Sequence, residues 1–94
     1  MNNLINHSKE WNEKLAHDNF LSSFILHFRR VKHLTSVEDA ISSLNRRECP
    51  FKCFRSHFKG DTVFREMRLY FAKHGTRRLK NEMISLLQME AQNG

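Results

Sequence analysis

Apolar residues along this chain recur every three or four positions, which is the spacing of one face of an α-helix. No stretch shows the sustained alternation of apolar and polar residues that a half-buried strand would show. The pattern divides the chain into five to six short helices joined by turns of a few residues. We therefore expect an all-α fold, a compact helical bundle in a single small domain that covers residues 1–94.

Capping and turn-forming residues predict where these helices begin and end. A first helix is expected from Leu4 to Ala16. Asp18 or Asn19 can cap a second helix, whose apolar positions extend to Val31. The later boundaries are marked by N-cap residues, a first-turn proline and helix-ending glycines, namely Ser36, Pro50, Gly60, Asp61 or Thr62, Gly75 and Thr76. The last helix runs towards Gln92.

The phenylalanines are expected in the core. At about 100° per residue, the apolar positions of the second helix cover an arc of about 140°, which favours a central helix. Proteins that bind single-stranded nucleic acid interleave exposed aromatic rings with basic residues, and here aromatics do alternate with Lys and Arg. Their helical phases nevertheless point inward, which favours core packing for Phe51, Phe54, Phe58, Phe64 and Phe71.

Basic residues are concentrated in one part of the chain. The 94 residues carry 16 Lys and Arg against 10 Asp and Glu, a net charge of +6, and 39% of the residues are hydrophobic. Within residues 46–80, eleven bases face three acids (11 − 3 = +8), whereas the rest of the chain carries 5 − 7 = −2. The eleven bases are Arg46, Arg47, Lys52, Arg55, Lys59, Arg65, Arg68, Lys73, Arg77, Arg78 and Lys80.

This basic stretch predicts a surface that binds a polyanion, because the planar guanidinium of arginine meets phosphate or carboxylate through two hydrogen bonds. The first hypothesis is a non-enzymatic protein that contacts nucleic acid, or a nucleic-acid–protein complex, through these eleven residues. The alternative is a small adaptor or inhibitor, of the kind found among phage and mobile-element accessory proteins, that docks on an acidic surface of a nucleic-acid-handling host protein. Four apolar residues fall outside their helical arcs, namely Leu26, Leu69, Ile84 and Met89, and would mark a protein interface or a homo-oligomer seam if several converge.

The sequence contains no pattern that indicates a metal site or a catalytic site. Cys49, Cys53 and His57 recur every four residues, but the second ligand pair that zinc sites usually have is missing, so small thiols beside a surface histidine are favoured. The six histidines are scattered, and neither a glycine-rich phosphate loop nor a nucleophile-elbow motif occurs. We expect no enzyme, no metal and no cofactor.

The sequence also predicts where in the cell the protein is found. The first seven residues lack the basic and apolar regions of a signal peptide. The longest apolar cluster, Phe20 to Phe28, is interrupted by Ser22, Ser23 and His27 and is too short to span a bilayer. Two cysteines do not make a secreted disulfide framework. The sequence therefore predicts a soluble, cytoplasmic protein with no membrane partner.

Overall fold

Four α-helices and one 3-10 helix make up the computed structural model of the chain. The structure describes the backbone of residues 2–49 and 51–93 and the side chains of residues 12–49, 51–52 and 54–92. The α-helices are α1 (Asn2–Val31), α2 (Val37–Asn45), α3 (Thr62–His74) and α4 (Arg77–Asn93), and the 3-10 helix (Lys52–Phe58) lies between α2 and α3. No strand occurs within these ranges, so the all-α prediction is confirmed, whereas the predicted count of five to six helices is slightly too high.

The first two predicted helices are a single helix, α1, of 30 residues. Asp18 and Asn19 lie exposed in its interior instead of capping a new helix. Asp or Asn inside a helix costs less than about 0.7 kcal/mol relative to alanine, and no glycine or proline lies nearby to break the helix. A 30-residue helix is about 45 Å long, which matches the longest dimension of the molecule, 50 Å.

The predicted capping residues are found where the later α-helices begin. The side chains of Ser36, Asp61 and Thr76 each accept a hydrogen bond from the backbone N–H three residues further on, at 3.1, 3.0 and 3.2 Å. Asp61, and not Thr62, therefore caps α3. Gly60 has a φ of 84°, the left-handed conformation that favours glycine at the end of a helix. The predicted role of Pro50 lies outside the described residues.

The segment predicted as a short fourth α-helix is instead a 3-10 helix with a kink at Phe54 (φ −110°, ψ 21°). Residues seven apart on a straight α-helix are separated by about 10 Å along its axis. The rings of Phe51 and Phe58, by contrast, have centroids only 6.0 Å apart, and both are buried in the same core. The kink allows both rings to enter the core and leaves Phe54 partly exposed.

The core is a cluster of aromatic rings closed on its other side by apolar residues of α2 and α4. Phe51 is fully buried, with ring centroids 5.4 Å from Phe24 and 6.4 Å from Phe64. From α2 and α4, Leu44 and Leu87 are also fully buried. Helix α4 packs against α2 and α1, and α3 packs against α1.

The junction between α3 and α4 is a tight turn at Gly75. The Thr76 N–H donates a hydrogen bond to the His74 carbonyl oxygen at 2.7 Å, which closes a three-residue turn. A Cβ atom at position 75 would lie 2.5 Å from the Phe71 carbonyl oxygen, so only glycine fits without a backbone shift. This close approach places the first turn of α4 next to the last turn of α3.

Candidate functional site

Seven of the eleven predicted site residues line two surface clefts. The α3 cleft, of about 430 Å³, is lined by Arg55, Lys59, Arg65 and Arg68, together with Asp61, Phe58 and Phe64. The α4 cleft, of about 750 Å³, is lined by Arg47, Arg77 and Lys80, together with Leu44, Phe71 and the turn at Gly75. The bases come from four segments, which only the tertiary fold brings together.

Both clefts lie on the same side of α3. Phe64 and Arg68 line the α3 cleft and Phe71 lines the α4 cleft, and their i, i+4, i+7 spacing places them on one helical face. Arg65 lines the α3 cleft and Ala72 lines the α4 cleft. The two residues are separated by about 10 Å along the helix axis. The seven bases therefore share one side of the molecule, which we call the basic face.

In the described part of the chain, none of the three acids of the 46–80 stretch forms an ion pair with a base of the basic face. Glu48 pairs with Arg46 at 3.8 Å. Asp61 caps α3 and pairs with Arg30 of α1 at 3.0 Å. Glu66 lines a cleft on the opposite side of α3. Among the side chains that the structure describes, none of the seven bases of the basic face forms an ion pair.

The other four predicted bases are not part of the basic face. Arg46 is paired with Glu48, and Arg78 is paired with Glu82 at 3.5 Å. Arg78 also lines a different cleft, next to Glu13 and His17. Lys52 and Lys73 are exposed and line neither basic cleft.

Asp61 links the basic face to the core. Besides capping α3, its carboxylate lies 3.4 Å from Nε2 of the buried His27, whose Nδ1 lies 2.7 Å from the Ser23 carbonyl oxygen. The pKa of Asp61 is lowered, chiefly by the hydrogen bond from the Phe64 N–H and further by Arg30 and His27. A carboxyl group whose folded pKa lies below its unfolded value stabilises the fold above the unfolded value and loses that contribution as the pH falls.

We expect Asp61→Ala to lower the free energy of unfolding by about 1–2 kcal/mol near neutral pH, because the N-cap of α3 is lost. Asp61→Asn keeps a capping oxygen and should cost less. Because Asn cannot titrate, this variant should also lose less stability than the wild type as the pH falls below about 4. Urea denaturation of the three proteins at neutral and acid pH measures both effects, and an identical acid-side loss in Asp61→Asn would contradict this role.

A second polar cluster joins α1, α3 and α4 outside the basic face. His17 Nε2 forms a short hydrogen bond with Glu82, and its Nδ1 lies 3.4 Å from the Tyr70 hydroxyl. Burial raises the pKa of Tyr70, and the charges of Glu82 and Glu13 raise it further. A raised pKa keeps the phenol protonated, which is the opposite of what activates a nucleophile. The cluster links three helices through side-chain hydrogen bonds.

The sequence also singled out a possible metal site and several apolar residues outside their helical arcs. Among the side chains described, no group of three His, Cys, Asp or Glu is arranged to hold a metal ion, and the Cys53 side chain lies outside that set. Ile84 is partly buried against the core, so it is not the exposed apolar residue that its helical phase suggested. Leu69 and Met89 are exposed, at 62% and 56%.

Within the described residues, no helix combines the length and the apolar character needed to cross a bilayer. No protein-family model, no curated protein and no solved structure matches this chain.

Proposed function

We propose that this chain is a non-enzymatic protein that binds nucleic acid through the basic face. The observation that supports the proposal is the set of seven bases on one side of the molecule, none of which forms an ion pair within the described side chains. Unpaired cations on one side attract a polyanion and release its counterions on binding.

The residue types and their spacing suit a phosphate backbone. Five of the seven bases are arginine, whose planar guanidinium can hold a phosphate through two hydrogen bonds. The two clefts are separated by about 10 Å along α3, a distance that one strand of nucleic acid spans within a few nucleotides. A single strand of nucleic acid can therefore contact both clefts at once.

Salt dependence is the experiment that tests this proposal. If four phosphates are contacted, the affinity for a short oligonucleotide should fall about a hundredfold between about 50 mM and about 200 mM salt, because bound counterions are released. Fluorescence anisotropy with labelled DNA and RNA measures this slope. Absence of binding to either at low salt, or an affinity that does not change with salt, would contradict the proposal.

A second candidate function is docking on an acidic protein surface, and the observation that favours it is the exposed Leu69. Leu69 is four residues from Arg65 on α3, so an apolar anchor lies at the border of the basic face. Ile84 packs against the core and so does not contribute to such a surface. Affinity capture with and without nuclease separates the two candidates, because a protein partner remains bound after nuclease treatment whereas partners held by nucleic acid are released.

A further inference from the structure

We infer that the α4 cleft binds an unpaired nucleotide, so that this protein prefers single-stranded nucleic acid to a duplex. The inference rests on the proposed function and adds to it the form of nucleic acid that is bound. It is based on the size, the charge and the one open aromatic wall of this cleft.

The α4 cleft is large enough for more than a phosphate. Its volume of about 750 Å³ lies within the range of about 300–1,000 Å³ that is usual for sites of small organic ligands. Arg47, Arg77 and Lys80 enter it from the end of α2 and from α4, and no acidic residue lines it. Negative charge is therefore favoured at its rim, and space remains for the base attached to a bound phosphate.

Phe71 is the aromatic residue that lines the cleft next to these charges. It packs against the core and is partly exposed. Among the described aromatic side chains it stacks on no other ring and lies under no guanidinium, unlike most of its neighbours. Basic residues next to an available aromatic ring are the combination that binds unpaired bases by stacking.

The α3 cleft lacks such a wall. Its two aromatic residues, Phe58 and Phe64, are 3% and 4% exposed. The guanidinium of Arg30 lies 4.9 Å from the ring centre of Phe58, and that of Arg68 lies 5.9 Å from the ring centre of Phe64. A guanidinium group covers a face of each ring and leaves it unavailable to stack on a base. The α3 cleft is therefore suited to backbone phosphates alone. Only the α4 cleft can distinguish an unpaired base from a paired one.

The backbone conformation of Arg47 is consistent with a functional role for its side chain at the rim of the α4 cleft. Arg47 has a φ of 61°, the only positive φ at a non-glycine residue in the described chain. Glycine or asparagine adopts this conformation more readily than arginine. The turn is held by hydrogen bonds from the N–H groups of Arg47 and Glu48 to the last turn of α2, both of 2.9 Å. Strained positions of this kind are found preferentially at functional sites.

The test compares three probes of equal length, about 12 nucleotides, which is within the usual site size of a small single-strand binder. The probes are a single-stranded oligothymidylate, its duplex with oligoadenylate, and a single-stranded backbone without bases; RNA versions of the first two are included. We expect the single strand to bind about tenfold more tightly than the duplex or the abasic strand, since stacking of one base contributes that much.

Two variants assign this preference to the α4 cleft. Phe71→Leu keeps an apolar side chain in the core but removes the ring, so single-strand affinity should fall about tenfold while duplex affinity stays unchanged. Ala72→Leu adds an exposed side chain that has no ring and takes up space in the cleft, and it should have the same effect without altering the core. Helical circular dichroism confirms that each variant is folded. If Phe71→Leu fails to fold, Ala72→Leu decides.

The outcomes separate the inference from the proposed function. Salt-dependent binding that is equal for the three probes would overturn the single-strand inference and leave the proposed function in place. A preference that both variants retain would place the unpaired base outside the α4 cleft and would also overturn the inference. Absence of binding to all probes at low salt would overturn the proposed function itself.

Discussion

Replacing Arg77 and Lys80 with glutamate should weaken the binding of nucleic acid by more than about a hundredfold at about 0.1 M salt. Each phosphate contact contributes close to tenfold in affinity at this salt concentration through counterion release, so the loss of two contacts accounts for most of the effect. The two introduced carboxylates add repulsion in a cleft that has no acidic residue of its own. Anisotropy titrations with the same oligonucleotide measure the change.

The matched control replaces Lys14 and Lys73 with glutamate. Both double variants change the net charge by −4, from +6 to +2, so any effect of overall charge is the same. Lys14 and Lys73 are exposed and do not line either basic cleft. We expect this control to lose less than about tenfold, because neither side chain lines a basic cleft and exposed charges outside the clefts are partly screened at this salt concentration. An equal loss in both variants would show that net charge, and not the basic face, determines binding.

Phe51→Ala should lower the free energy of unfolding by about 3–5 kcal/mol. The Phe51 ring is fully buried and packs against rings of α1 and α3 and against Phe58, so its removal leaves a cavity between three elements. A domain of this size has a total stability of about 5–14 kcal/mol, and so a large share of it would be lost. Urea denaturation followed by circular dichroism measures the difference.

Phe54→Ala is the control for this substitution, because it removes the same atoms three residues further along, inside the 3-10 helix that Phe51 precedes. Phe54 is only partly buried, and its one aromatic neighbour among the described rings is the exposed His57, at 6.1 Å. Its loss should cost less than half as much as the loss of Phe51. The same cost for both variants would contradict the burial pattern that the kink at Phe54 creates.

Local signals in the sequence identified the ends of the later helices. Ser36, Thr76 and Gly60 have the predicted roles, since a cap or a left-handed stop depends on the nearest few residues. The same signals were misleading at Asp18 and Asn19. These two residues could cap a helix, but the apolar positions that follow continue one helix onto the core. Whether a good cap is used thus depends on tertiary packing.

The composition of the basic face could be predicted only in part. Charge along the chain showed that residues 46–80 are basic, but seven of the eleven bases line the two clefts and four do not. Arg77 and Arg78 are neighbours in sequence, yet they line different clefts because adjacent residues on a helix lie about 100° apart. The pairing of Asp61 with Arg30 spans 31 residues and has no local signal. Such long-range contacts decide which charges remain unpaired.

The most direct test of the basic face is to map amide chemical shifts of the labelled protein during titration with a short single-stranded oligonucleotide. We predict the largest changes at Arg47, along Arg65–Ala72 and in the first turn of α4, with little change in the exposed part of α1 around Lys14. Largest changes around Lys14 and His17, or small changes spread evenly over all helices, would contradict binding at the basic face.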